Sequence, residues 1–485
     1  MSFPLNMESL AWKSRLQVAY TLGIIITLSC PIIQGANILV VPVDGSHWVN
    51  MRILIEELKL HGHSITVFYF SKSWYIKEQP DLYQSIVVEI PGFVGNNASG
   101  DVMQSLIQKA LEALQNGAML AHHLKLPSVF NIRWLITGDP HFLLAPSPSS
   151  YIPIPSLQLT DKMSFLQRTQ NVILNIFQMY FSKLFIQSIY NEICHRYLGP
   201  DTDIETILLG ADVWLIRADF IFEFPRPTMP NIVYIGGFQC KPSKPLAAEF
   251  EELIQSSGEH GIIVMSLGTI VNSLPMHITM KIAEAFAQIP QKVIWKHNGK
   301  IPPNIGNNTL LTKWIPQNDL LGHPKTRAFI AHGGTNGVYE AIYHGVPVVG
   351  MPLLFDQFDN LFKLEIRGAA KVIYVSTMQS TDLLQALNEV INNTSYRDNM
   401  QKLSALHRDQ PETPLERAIF WIEYVARHKG AAHLRSEFYQ LPWYAYYCVD
   451  VIFFLLSMLL MFTMLTVLLL KKLCHIAWKK KQKIQ

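Results

Sequence analysis

Residues 449–470 form a run of 22 amino acids with a single charge, Asp450, in its first turn. As a helix this run would rise about 33 Å, enough to cross the hydrocarbon core of a bilayer. Trp443, Tyr444, Tyr446 and Tyr447 stand just ahead of it, as an interfacial aromatic belt would. Lys471 and Lys472 follow it, then Lys479, Lys480, Lys481 and Lys483. Positive charge marks the cytosolic side of a membrane helix, so residues 471–485 are expected in the cytosol and everything upstream on the opposite face. A buried core helix would not carry these flanks.

The opposite end reads as a secretory leader over residues 1–35. Lys13 and Arg15 supply positive charge, residues 18–33 the apolar run, and Gln34-Gly35-Ala36 small residues for cleavage. An uncleaved anchor is the alternative, against which Thr21, Thr27 and Ser29 weigh. Lys481 and Lys483 stand fifth and third from the end, a spacing that resembles the dilysine retrieval signal of endoplasmic-reticulum membrane proteins. The expectation is a single-pass type I membrane protein of that compartment with a luminal body. Sequons at Asn97, Asn307, Asn392 and Asn393 are compatible with a luminal glycoprotein. Of five cysteines only Cys194 and Cys240 fall in the body, where they could pair.

A chain of 485 residues exceeds what one core usually organises, so two domains are expected. Hydrophobic residues at 49% against 16% charged fit a globular protein carrying membrane segments better than a disordered chain. A net charge of +3 without a basic stripe argues against a nucleic-acid partner.

From Ala36 short apolar runs alternate with amphipathic stretches: a strand over 37–43, a helix over 51–60 and a strand over 64–70. Such βαβ units build parallel sheets. Around 163–190 Ile173, Phe177, Tyr180, Phe181 and Leu184 recur at helical spacing, as either a core helix or a surface dipping into the bilayer. Residues 236–245 read as a linker, after which the alternation restarts with strands over 261–266, 292–296 and 328–331 and a helix over 277–288. The expected division is an N-terminal unit over 36–240, a C-terminal unit over 241–430, a juxtamembrane segment over 431–448, the span 449–470 and the tail 471–485.

The densest chemical signal runs from Trp314 to Asn360. An apolar strand enters His332-Gly333-Gly334-Thr335-Asn336-Gly337 and opens a helix. Glycines let a ligand approach the backbone, and a helix N-terminus offers free N–H groups to a pyrophosphate. With Trp314-Ile315-Pro316-Gln317, Glu340 and Asp356-Gln357, this constellation resembles the signature of the UDP-glycosyltransferase superfamily, and specifically its vertebrate UDP-glucuronosyltransferase branch. The resemblance runs from the leader to the lysine tail and is densest from Phe222 onward. It implies a GT-B fold, two Rossmann-like α/β domains facing a cleft. It also implies transfer of glucuronic acid from UDP-glucuronic acid to hydroxyl groups of small lipophilic acceptors (phenols, steroids, xenobiotics) with inversion. A UDP-glucose or other UDP-hexose transferase is the runner-up.

Carried over by position, Trp314 would stack near the uracil and Gln317 would bond its edge. Ser266 would lie near the diphosphate, while His332 and the backbone at Gly334 and Asn336 would hold it. Glu340 would grip the ribose, Asp356 and Gln357 the donor sugar, and Arg217 would face the glucuronate carboxylate or form a structural salt bridge. No metal and no cofactor beyond the UDP-glucuronic acid co-substrate are implied.

His47, in Asp44-Gly45-Ser46-His47-Trp48 after the first strand, matches the family's catalytic base. The family's base leans on an aspartate, and here the segment that would carry it is missing: residues 103–115 pass as a helix straight into Asn116-Gly117-Ala118. Asp101, Glu112 and Asp139 are acidic but stand in other contexts. The expectation is weak or absent turnover. A different class of reading is a donor-binding subunit that associates with full-length relatives and modulates them; homo- and hetero-oligomers both stay open.

Overall fold

The computed structural model describes residues 35–89, 117–134 and 139–482, apart from residues 72, 74, 269, 270, 272 and 273. Most of the expected leader, the Asn97 sequon and the helix expected over 103–115 lie outside the described residues.

Three parallel sheets organise the body. The first joins β1 (Asn37–Val40), β2 (Ser64–Phe70) and β3 (Gln84–Val88) in that order. The second joins β4 (Val129–Ile132), β5 (Val213–Ile216) and β6 (Ile232–Tyr234). The third carries six strands: β7 (Ile262–Ser266), β8 (Lys292–Lys296), β9 (Thr309–Thr312), β10 (Thr326–Ala331), β11 (Val348–Gly350) and β12 (Ala370–Val372). Its order is β12-β11-β10-β7-β8-β9, so the chain reverses direction across the sheet between β7 and β10. All five residues of β7 are buried, as expected of a central parallel strand covered on both faces.

β1 stops at Val40, earlier than the expected 43, because Pro42 has no N–H to give a ladder. The next helix, Ser46–Leu60, begins five residues earlier than expected. Gly45, at φ 77°, turns the chain into it, and Trp48 is already buried in its first turn. His47 therefore stands at a helix N-terminus.

Among the described residues no ladder joins β1 to β4. The two small sheets instead share one core, in which Val40, Leu54 and Val67 pack with Val213, Leu215 and Val233. The helix Pro414–His428 completes that core through Ala418, Ile419 and Val425. Its Glu423 carboxylate takes His61 at 2.7 Å and His63 at 3.1 Å, just past the end of the helix that carries His47. The sequence division places residues 414–430 in the C-terminal unit; in the fold they pack against the N-terminal one.

The expected linker also divides. Residues 235–238 are buried, with Gly236 N–H on the Ala218 carbonyl and an added Cβ at Gly236 placed 2.5 Å from the Tyr339 hydroxyl. Residues 241–245 are exposed. Cys194 and Cys240 are both free, packed in separate cores, so the pairing considered for them is not made.

The stretch around 163–190 is not a core helix. Phe165–Phe181, a π-turn over Ser182–Gln187 and Ser188–Leu198 run on as one rod. Phe165, Leu166, Ile173, Phe177 and Leu184 are exposed, whereas Asn171 is fully buried. Its amide bonds Ile154 N–H and the carbonyls of Ser149 and Ile152 at 2.7–2.8 Å. Polar inside and apolar outside inverts the pattern of a helix covered by protein.

Candidate active site

The C-terminal ends of β7 and β10 lie side by side, Ser266 opposite Ala331. This is the point where the strand order reverses, the place where open α/β sheets bind ligands. After β7 the chain turns through Leu267-Gly268; after β10 it enters His332-Gly333-Gly334 and the helix Thr335–His344. Gly334 is the N-cap and has no side chain to cap, which leaves first-turn N–H groups open to an anion. The His332 ring is wedged between the two loops. A Cβ added at Gly268 would stand 2.7 Å from its Nε2, and one at Gly334 only 2.4 Å away. Burial pushes the His332 pKa down to about 4, so the ring is neutral at pH 7. The Ser266 hydroxyl is buried and accepts the Gly268 N–H at 3.4 Å.

Beside this cradle Gln317 Nε2 donates to Glu340 Oε2 at 2.6 Å. That contact occupies the amide nitrogen and leaves the Gln317 carbonyl oxygen as an acceptor. Trp314, three residues earlier, presents an exposed ring. Asp356 accepts from Asn360 at 2.8 Å and from the Thr335 hydroxyl at 3.3 Å. Gln357 Oε1 accepts the Leu353 and Leu354 N–H groups at 2.9 Å each, so only its amide N–H groups remain for a ligand.

The N-terminal unit closes on this face. Asn50 Nδ2 donates to Asn336 Oδ1 at 2.8 Å, and His47 stands one turn earlier on the same helix. Among the described residues the His47 partner is a cation and not a carboxylate: Arg217, directly after β5, places NH2 2.7 Å from Nδ1. Burial of its surroundings, then the Arg217 charge, pushes the His47 pKa down to about 3. The ring keeps an exposed side, where water offsets part of that burial, but both causes act against the imidazolium. Of the other acids singled out in the sequence, the one among the described residues is engaged elsewhere. Asp139 bonds His141 at 2.6 Å and Arg226 at 2.8 Å, while Asp101 and Glu112 lie outside the described residues.

The family described as "UDP-glucoronosyl and UDP-glucosyl transferase" matches in two stretches, residues 36–113 and 98–484. The chain belongs to that family. UDP-glucuronosyltransferase 2A2 of Mus musculus is 40% identical, with 93% of this chain and 95% of the relative covered. That alignment spans 506 positions, more than the 485 residues of the chain, so it carries gaps on this side. The Homo sapiens protein of the same name is 41% identical over 492 positions, covering 89% of this chain and 90% of its own. Two solved structures share the fold at lower identity. CalG4, the calicheamicin glycosyltransferase, is 17% identical with a TM-score of 0.55, covering 81% of this chain and 99% of its own. A Polygonum tinctorium UDP-glucosyltransferase capable of glucosylating indoxyl is 13% identical with a TM-score of 0.57 and the same coverages. This transferase therefore has the GT-B architecture.

Several side chains of the transferase's cleft went unread in the sequence. Arg133, after β4, pairs with Glu223 at 2.7 Å, bonds Asn360 at 3.1 Å and stands 3.9 Å from Asp356. Glu223 also pairs with Lys363 of the opposing unit. Lys296 donates to the Gly268 carbonyl at 3.1 Å, in the turn after β7. For Arg133 and Lys296 a cation at the end of a strand is the only signal the sequence offered.

Glu340 gives a pH prediction. Burial pushes its carboxyl up to about 7, although the Gln317 hydrogen bond pulls the other way. If the ionised form grips a ribose, affinity for UDP-glucuronic acid rises from pH 6 to pH 8, by up to about tenfold for one site titrating near 7. Calorimetric titration at both pH values checks this, with Glu340→Gln expected to flatten the dependence.

Proposed function

We propose that the chain transfers glucuronic acid from UDP-glucuronic acid to hydroxyl groups of small lipophilic acceptors, slowly. The observation that carries this is the cradle at the strand-order reversal. His332 is held between Gly268 and Gly334 beside an uncapped helix start, with Gln317 and Glu340 to one side and Asp356 and Gln357 to the other. UDP fits the first three features, and the sugar hydroxyls fit the last pair. No metal is needed in this reading, since helix N–H groups and Lys296 face the departing diphosphate.

The acceptor reading rests on a cavity between the two units, lined by Trp134, Ile154, Leu159, Phe220, Phe224 and Phe362. Its walls are mostly apolar, and Ile216 connects it to Arg217, the neighbour of His47. In the reaction, His47 Nε2 takes the proton of the acceptor hydroxyl while the oxygen bonds the anomeric carbon. The carbon–phosphate oxygen bond breaks, UDP leaves with its electron pair, and configuration inverts. With Arg217 and no carboxylate on His47 among the described residues, turnover is expected roughly 10²–10⁴-fold below that of a base held by an acid. If the gap between β1 and β4 leaves no turnover at all, the chain is a donor-binding subunit.

Two long apolar helices support a membrane location, which we read as the endoplasmic reticulum with the body luminal. Val449–Gln482 is fully exposed along its apolar length. The inverted rod at 165–198 offers a second apolar surface, which suits acceptors that partition into lipid. A chain ending at Cys448 is expected to stay in the membrane pellet, and Ile173→Glu with Phe177→Glu to release it. Full release without those substitutions would mean that the rod does not hold the body on the membrane.

A further inference from the structure

We infer that Arg217 holds His47 in the tautomer that cannot act as a base, and that the carboxylate of the donor sugar switches the base on by drawing the guanidinium away. This rests on the glucuronate reading above. A guanidinium has five N–H donors and no lone pair, so in the 2.7 Å contact His47 Nδ1 must accept. A neutral ring that accepts at Nδ1 carries its proton on Nε2, and Nε2 then has no lone pair for an acceptor hydroxyl. A carboxylate partner does the reverse, fixing the proton on Nδ1 and freeing Nε2.

Arg217 is placed to be drawn off. Its backbone N–H is pinned to the Ile132 carbonyl at 2.9 Å and the residue is only 8% exposed. Among the described residues no carboxylate pairs with it, and its buried Nε has no hydrogen-bond partner. Burial and then the like charge of Arg133 push its pKa down to about 10, with Asp356 opposing from a distance. A bidentate carboxylate satisfies such a fork better than one imidazole nitrogen does.

A donor sugar seated at Asp356 would bring its carboxylate to this corner. Once Arg217 turns to it, the ring passes its Nε2 proton to solvent water and regains one at Nδ1 through its exposed side, with no net change of charge. Nε2 can then take the acceptor's proton. A donor without the carboxylate leaves the base off, so selectivity arises in the chemical step as well as in binding.

The full chain in nanodiscs, labelled with ¹⁵N-histidine and assigned by loss of one ring signal in His47→Gln, reads the tautomer directly. Nε2 protonation is expected without ligand and with UDP-glucose, and Nδ1 protonation with UDP-glucuronic acid. In turnover, Arg217→Met should raise the rate with UDP-glucose about tenfold or more while UDP binding is unchanged. Arg217→Lys, which still donates to Nδ1, should not raise it; a merely structural role would not separate the two variants. An Nδ1 proton in the ligand-free protein, or an unchanged UDP-glucose rate in an Arg217→Met protein that binds UDP, would overturn the inference. Failure of UDP-glucuronic acid to bind where UDP does would instead sink the glucuronate reading, and the ligand-free tautomer would still decide the Arg217–His47 contact.

Discussion

Glu223→Ala is expected to destabilise the protein by about 3–5 kcal/mol, the cost of breaking a buried charge cluster from one side. Glu223 pairs with Arg133 from its own unit and Lys363 from the other. Side-chain exposures of 17%, 10% and 14% leave little water to screen what remains. With the carboxylate gone, Arg133 and Lys363 face each other near Arg217. Burial opposes the Glu223 charge, but Arg133 and Lys363 outweigh it and hold its pKa down to about 2. A depressed carboxyl contributes stability that is present above its ordinary value near 4.5 and is lost as pH falls toward 2. Thermal melts of the full chain in detergent check both statements. The wild type should lose stability through that acid window, and Glu223→Ala should show a lower midpoint with less dependence there. An unchanged midpoint at pH 7 would mean the two units are not held together by this cluster.

Gly334→Ala is expected to abolish most donor binding, lowering affinity for UDP-glucuronic acid by about a hundredfold, while costing stability about 1–3 kcal/mol as overpacking does. The added Cβ would stand 2.4 Å from His332 Nε2, closer than any real contact, so the ring or the helix start must move. The ring has little room to retreat, because it also packs so close to the Gly268 backbone that a side chain there would not fit. Either movement spoils the cradle. Calorimetric titration beside a melt separates the two effects, and near-normal binding in a folded Gly334→Ala protein would contradict the pyrophosphate assignment.

Much of the C-terminal unit was legible because its signals are local. β8 fell where read, at 292–296, a compact apolar run bounded by turns. The glycine turn after β10 announced itself through residues whose chemistry has few other uses. The three-residue strands β6, β11 and β12 were not legible, since three apolar residues suit a strand or a helix equally. Nor were pairings at long range. Arg133 and Glu223 are distant in sequence, as are Glu423 and its two histidines, and nothing local says which cation meets which acid. His47 and Arg217 were both singled out, but as independent contacts to substrates; that they touch each other came only from the fold. The inverted rod at 165–198 left two readings open because its periodicity is the same whichever face is buried, and burial of Asn171 beside exposed Ile173 and Phe177 removes the core helix.

We propose a donor-binding cleft served by a base that has no carboxylate beside it among the described residues. Glucuronide formation by the full chain in microsomes, across a panel of phenols and steroids and beside His47→Ala, tests it most directly when UDP-glucuronic acid binding is measured on the same preparations. Donor binding is expected in both proteins, with slow glucuronide formation that disappears with His47→Ala. Turnover unaffected by His47→Ala, or no donor binding by a folded protein, would contradict it.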